Sequence, residues 1–300
     1  MDTDLDTLAT ALYVTVDDLL AAHPEQRPAR PKVGFAPQVS DAEMVTLAVL
    51  SALLGFTCER RWVRWARAHL TGWFPCLPGQ SGYNKRLRAL AGTLAWVQHA
   101  LARQSDQWSD GVWVADSTPV ECARSRETAR RSDLAGYAQY GYCASHSRYF
   151  WGFRLHLVAT LGGLVVGWAL TGAKADERAT LLAVLDGTPR RPGQVVIADK
   201  AYYGRSFEDD LASEGIVLLR KARKTEAERP GKAFFKPLRQ VVESINATLK
   251  THLDIEHHRA RTLRGVAARI ATQLLALTAA VWHNERCGAP VLRSLTAYDH

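Results

Sequence analysis

Three acidic residues stand where carboxylates can act together. Asp116 follows the apolar run Gly111–Ala115 (GVWVA) and precedes Ser117, Thr118 and Pro119, and Asp199 closes a second apolar run, Gln194–Ala198 (QVVIA). Glu243 lies in KPLRQVVESINATLK, where Lys236, Arg239, Glu243 and Lys250 share one stripe if the whole stretch is helical. Taken singly, each acid has a plain reading as a turn residue, half of a surface ion pair, or part of a solvated helix face. Taken together, they are hard oxygen donors of the kind that hold Mg²⁺, and without a cation they would repel one another. Hydrolysis or transesterification of a phosphodiester uses two such ions about 4 Å apart, one at the nucleophile and one at the leaving oxygen.

The elements that must position these acids belong to a chain of 300 residues, 47% hydrophobic, enough for a large core and a second, smaller domain. Its net charge of +8 favours a polyanionic partner. That charge is uneven: Asp2, Asp4, Asp6, Asp17 and Asp18 precede the first Arg, whereas Arg220 to Arg239 is rich in cations. The five cysteines are scattered, with no C-x-x-C pair and no zinc spacing, as expected of reduced thiols in a cytoplasmic protein. His257 and His258 are adjacent and would diverge on a helix, which suits a polar or phosphate-facing role better than a metal pair. No secretory leader is expected from the first residues. Leu155–Ala173 is uncharged and long enough to span a bilayer, but its alternation about Gly162 and Gly163 reads as a hairpin, so no membrane span is expected.

Along the chain, apolar residues at helical spacing predict a helix over 3–22, followed by a basic, proline-rich linker from Pro24 to Pro37. Ser40 with Glu43 forms a capping-box pattern that opens a helix ending at Gly55. Glu59–Leu70 (ERRWVRWARAHL) and a long helix from Ser81 to Gln104 follow, a helix-turn-helix-like set or a plain three-helix bundle. Lys85, Arg86 and Arg88 are its candidate phosphate contacts. A polar insertion, Glu121 to Arg148, carries Arg124, Arg126, Arg130, Arg131 and several tyrosines. Strands are expected at Gly111–Ala115, Tyr149–Thr160, Gly162–Thr171, Gln194–Ala198 and Ile216–Leu219, with helices at Asp176–Leu185, at Arg205–Ser213 and around Glu243.

That order predicts an α/β, ribonuclease H-like catalytic domain, a mixed five-stranded sheet flanked by helices, preceded by an all-α N-terminal region. The boundaries read as a helix and linker over 1–37, a helical DNA-binding or oligomerisation domain over 38–106, the catalytic domain over 107–288 and a tail over 289–300.

The residues also carry a resemblance. Asp116 in VADSTPV, Asp199 in IADKAYYG and Glu243 in LRQVVESINATLK resemble the DDE triad of bacterial insertion-sequence transposases. The blocks YGYCASHSRYFWGFRLHL and WFPCLPGQSGYNKRLRAL are most similar to insertion-sequence family nine-eight-two, over about Ser40 to Ala280. Arg239, Glu243 and Lys250 match the signature Tyr-x2-Arg-x3-Glu-x6-Lys in place, with Lys236 where that signature has Tyr. The resemblance implies an enzyme that binds terminal inverted repeats, cleaves the DNA ends and transfers strands to target DNA. Asp116, Asp199 and Glu243 would hold two Mg²⁺ ions, with Mn²⁺ able to substitute, in a homodimer or larger homo-oligomer. Lys200, Arg220, Lys221, Arg223, Lys224, Arg239 and Lys250 would contact phosphates. Two other readings share the pattern: a ribonuclease H-like nuclease that does not join strands, and a non-catalytic DNA-binding regulator derived from a transposase.

Overall fold

The β-branched and aromatic runs of the central chain build one six-stranded sheet: β1 Val112–Ala123, β2 Gln139–Cys143, β3 Arg148–Thr160, β4 Val165–Gly172, β5 Val195–Ala198 and β6 Val217–Arg220. The computed structural model describes residues 3–29, 35–143, 147–224, 226–229, 235–290, 292–295 and 298, leaving out the side chains of residues 3, 236–239, 242 and 257. Ten helices are described: α1 Thr3–Ala22, α2 Asp41–Leu53, α3 Glu59–His69, α4 Gln80–Ala89, α5 Ala91–Arg103, α6 Arg126–Arg131, α7 Glu177–Asp186, α8 Arg205–Ser213, α9 Phe235–Ala247 and α10 Leu263–Arg286.

The chain divides into two units, one of residues 1–101 with 248–300 and one of residues 102–247. In the second unit β3 is central. It pairs antiparallel with β1 on one edge, and with β2 and then β4 on the other. β1, β5 and β6 continue the sheet in parallel. Three antiparallel strands followed by two parallel ones reached through helices are the ribonuclease H-like arrangement. The uncharged run at Leu155–Ala173 folds back as the β3–β4 hairpin, with Gly163 supplying a φ of +97° in the turn.

The sheet differs from expectation in two ways. It has six strands instead of five, because the polar insertion contributes α6 and β2. Polar and exposed positions alternate too weakly over five residues for β2 to announce itself; pairing to β3 creates it. The first strand also runs on to Ala123, so Asp116 sits within it and not at its end. Pro119 is tolerated because pairing with β5 stops at Val114, which leaves that edge of β1 open.

In the other unit, Leu5, Leu8, Leu12, Val16 and Leu20 bury one face of α1, and Ser40 and Glu43 close the capping box of α2. The segment expected as one helix over 81–104 is two, α4 and α5. Leu90 leaves helical geometry at ψ 2°, and the break lets Tyr83 and Leu87 on one helix and Leu94, Val97 and Leu101 on the other all be buried. Asn84 of α4 and Arg269 of α10 both donate to Glu59 of α3, at 3.0 and 2.7 Å. α10 packs against α1, α2 and α4, so it belongs with these helices and not with the sheet, unlike the expected 107–288 segment. It is the one described helix long and apolar enough to cross a membrane, and 89% of its apolar window is buried in the protein.

Where β1 shifts register against β3, between Glu121 and Ala123, the strands approach at Gly152. A Cβ there would stand 2.1 Å from the Val120 carbonyl oxygen. Gly152→Ala is therefore expected to lower stability by about 2–3 kcal/mol, because the obstacle is backbone and cannot rotate away. A shift in the urea midpoint of unfolding measures it.

Candidate catalytic site

Parallel pairing between β1 and β5 ends at Val114 with Ile197. Asp116 and Asp199 each lie two residues beyond that last pair, and the Asp199 charge reaches the Asp116 carboxyl. This is the carboxyl edge of the parallel strands, where open α/β sheets place their ligand crevice. α9 closes the site against β1: the Asn246 amide donates to Asp116 Oδ2 at 2.6 Å. Glu243 is on the same helix, three residues before Asn246 and therefore on the neighbouring turn of one face, where it is exposed.

Burial raises the Asp116 carboxyl above its ordinary range; hydrogen bonds from the Ser117 backbone and Asn246 oppose this, and the charges of Glu177 and Asp199 add to it. Asp199 is exposed, and its Oδ1 accepts the Lys200 N–H at 2.7 Å. Among the described residues no three His, Cys, Asp or Glu side chains lie together at ligand distance, so the triad is not gathered into a closed cluster. The donor set nevertheless suits a hard divalent cation: a half-buried carboxylate that feels two more negative charges gains from one beside it.

A second network, not foreseen from sequence, lies beside Asp116. Ser117 points to the opposite face, where its hydroxyl donates to Glu177 Oε1 at 2.9 Å and receives Arg154 Nη1 at 3.1 Å. Arg154 also pairs with Glu177 and donates through Nη2 to the Tyr142 carbonyl at 3.1 Å. Asp176 caps α7 and thereby fixes Glu177 in its first turn. Tyr202, buried beyond Asp199, bonds to Ser117, and burial followed by the charges of Glu177 and Asp116 raises its hydroxyl pKa. Asn246 had a signal in the sequence, a polar residue at i+3 from Glu243. Arg154 and Glu177 had none, since each pairs across more than twenty residues.

The expected phosphate contacts separate into two groups. Lys200, Lys221, Arg223, Lys224 and Lys85 are exposed. Lys221 follows the Ala198–Arg220 pair, which sets it beside Asp199 in register, and the Arg223 guanidinium lies 3.7 Å over the Tyr203 ring. Arg220 is corrected: only 2% exposed, it is held between Glu208 and Glu226 by hydrogen bonds of 2.7–3.0 Å, so its charge is spent inside the fold. Arg86 is corrected likewise, being bonded to Asp41 at 2.6 Å and to the Val39 carbonyl. Arg88 is half-buried with its Nε enclosed, and Lys250 pairs with Glu256 at 3.1 Å. Lys250 also leaves the expected stripe, because α9 ends at Ala247 and a wider π turn, Thr248–His252, takes over. The side chains of Lys236 and Arg239 lie outside the described residues. In the helical unit Arg60, Arg61, Arg64 and Arg67 of α3 also face solvent, opposite its buried Trp62, Val63 and Ala66.

A transposase DDE domain model matches residues 107–279. The chain belongs to that family. Among solved structures, a crystal structure of a pre-cleavage Mos1 transpososome aligns over 98% of this chain and 99% of that chain, at 11% identity and a TM-score of 0.24. No curated protein matches the chain. The matched segment includes Asp116, Asp199 and Glu243.

His156 faces away from Asp116 along the sheet, buried, with Nε2 2.9 Å from Thr171 Oγ1. Burial, then the Arg154 charge, lowers its pKa from 6.5 to about 4, so it remains neutral in the fold. The unfolded chain takes up the proton first as pH falls, so the stability contributed by neutral His156 is complete above pH 6.5 and is lost towards pH 4. His156→Gln, which cannot titrate, is expected to flatten the pH dependence of the urea midpoint over that interval.

Proposed function

We propose that the chain is an insertion-sequence transposase, nearest to insertion-sequence family nine-eight-two, that cleaves the ends of its element and joins them to target DNA. The observation that carries this reading is the half-buried Asp116 carboxylate of β1, bonded by Asn246 of α9 and within electrostatic reach of Asp199. Asp116, Asp199 and Glu243 are the residues that would hold two Mg²⁺ ions, or Mn²⁺ in their place; bound there, the ions would supply charge neutralisation and polarisation of the reacting phosphoryl oxygens. Asn246 orients the Asp116 carboxylate. Lys200, Lys221, Arg223 and Lys224 bind backbone phosphates along the same strand edge, while Lys85 and the α3 arginines grip the terminal repeats. DNA binding is assigned to 38–106 and chemistry to the sheet-bearing part of 107–288, without α10, which packs with the helices. Joining two ends requires at least two active sites, which favours a homodimer or larger assembly.

A single-turnover assay on end-labelled DNA carrying the sequences that flank the reading frame, with Mg²⁺ or Mn²⁺, tests the reading. Cleavage at the ends and joined products are expected, and Asp116→Asn or Glu243→Gln should reduce both by at least about a hundredfold, since each 1.36 kcal/mol of lost transition-state stabilisation is tenfold in rate. End binding should persist, because no phosphate-binding cation is removed. Cutting without joining would make the chain a nuclease, and undiminished metal-dependent cutting by Asp116→Asn would remove that residue from the site.

A further inference from the structure

The insertion between β1 and β3 exposes more aromatic surface than a solvated hairpin needs. Tyr140 and Tyr142 of β2 and Tyr149 of β3 are 42%, 46% and 78% exposed. Tyr142 is paired with Tyr149 across the strands, and their ring centroids are 5.0 Å apart at 55°. Tyr140 is on the same face by alternation. Following the register through β3 shows which face this is. Tyr142 opposes Tyr149, Tyr140 opposes Trp151, and six residues further along β3 Leu157 opposes Asp116. The tyrosines therefore share a sheet face with Asp116, roughly 20 Å away along β3 for Tyr140 and roughly 27 Å for Tyr142 and Tyr149, at ~3.4 Å per residue. The link is also physical, since the Tyr142 carbonyl accepts from Arg154, whose guanidinium reaches Ser117 beside Asp116. Arg126 and Arg130 are exposed on α6, which packs against β1 and brings positive charge to this insertion.

We propose that Tyr140, Tyr142 and Tyr149 form a stacking platform for unpaired bases of the DNA strand handled at Asp116. The proposal rests on the transposase reading for the identity of that strand. Phenol rings standing on a sheet offer faces to bases without regard to sequence, and neighbouring guanidinium groups meet the backbone phosphates. A duplex cannot use these faces, because its bases are already stacked. The platform is thus selective for single-stranded DNA, such as the strand freed when an end is opened.

The test is fluorescence anisotropy of the full chain, without divalent metal, on a labelled single-stranded oligonucleotide, an abasic oligonucleotide of equal length and a duplex. Both single strands carry the same phosphates, so their difference isolates stacking. Wild-type protein is expected to bind the base-bearing strand at least about tenfold tighter than the abasic one. The double variant Tyr142→Ala with Tyr149→Ala should lose that advantage while keeping its affinity for duplex, and Tyr142→Phe with Tyr149→Phe should retain it. Equal binding of the two single strands by wild type, or an undiminished advantage in the alanine variant, would overturn the proposal. So would an alanine variant that alters sedimentation but not strand preference, which would assign the face to a second copy of the chain. Because nothing is cut in this assay, the platform and the transposase reading fail separately: active end cleavage without base preference removes the platform alone, and base preference without cleavage removes the reading alone.

Discussion

The sheet unit turns on a half-buried carboxylate, Asp116. Asp116 is half-buried because β1 outruns its parallel neighbour and α9 lies against the overrun, where the Asn246 amide donates to it. Burial and the charges of Glu177 and Asp199 act against ionisation, so the arrangement costs stability unless something positive relieves it. A cation beside this carboxylate would relieve that cost.

The second network explains how the fold tolerates this. Glu177 would be another uncompensated charge, but Arg154 and Ser117 satisfy it from β3 and β1. Three strands and α7 are thereby fixed around Asp116 by charge-assisted bonds on the face opposite to it. The same logic governs Arg220, whose two glutamate partners tie β6 to α8 and to the segment beyond. Cations of one type thus serve two ends: those with acidic partners organise the sheet, and those left at its strand edge, Lys200, Lys221 and Lys224, face solvent where phosphates can reach them.

Element type and order were legible in the sequence, because periodicity and caps are local. The helix over 3–22, the capping box at Ser40, the hairpin within Leu155–Ala173 and the buried strand before Asp199 all follow from neighbouring residues. The transposase family was legible too, since the motifs that carry the resemblance are short. β2 was not, and neither was the break at Leu90: the first exists through pairing with a strand ahead of it, and the second through a choice of which leucines to bury.

What the sequence alone determined, then, is which residues can ionise, which segments can be helix or strand, and in what order they come. Only the tertiary structure decided which charges remain available. Arg220 and Lys221 are adjacent and alike in sequence, yet one is enclosed by two glutamates while the other, just past the end of β6, is exposed. Asp116 and Ser117 are separated in the same way, one towards α9 and the other towards Glu177. Partners that lie tens of residues apart in the chain set the energy of each group, and no local pattern of residues records them.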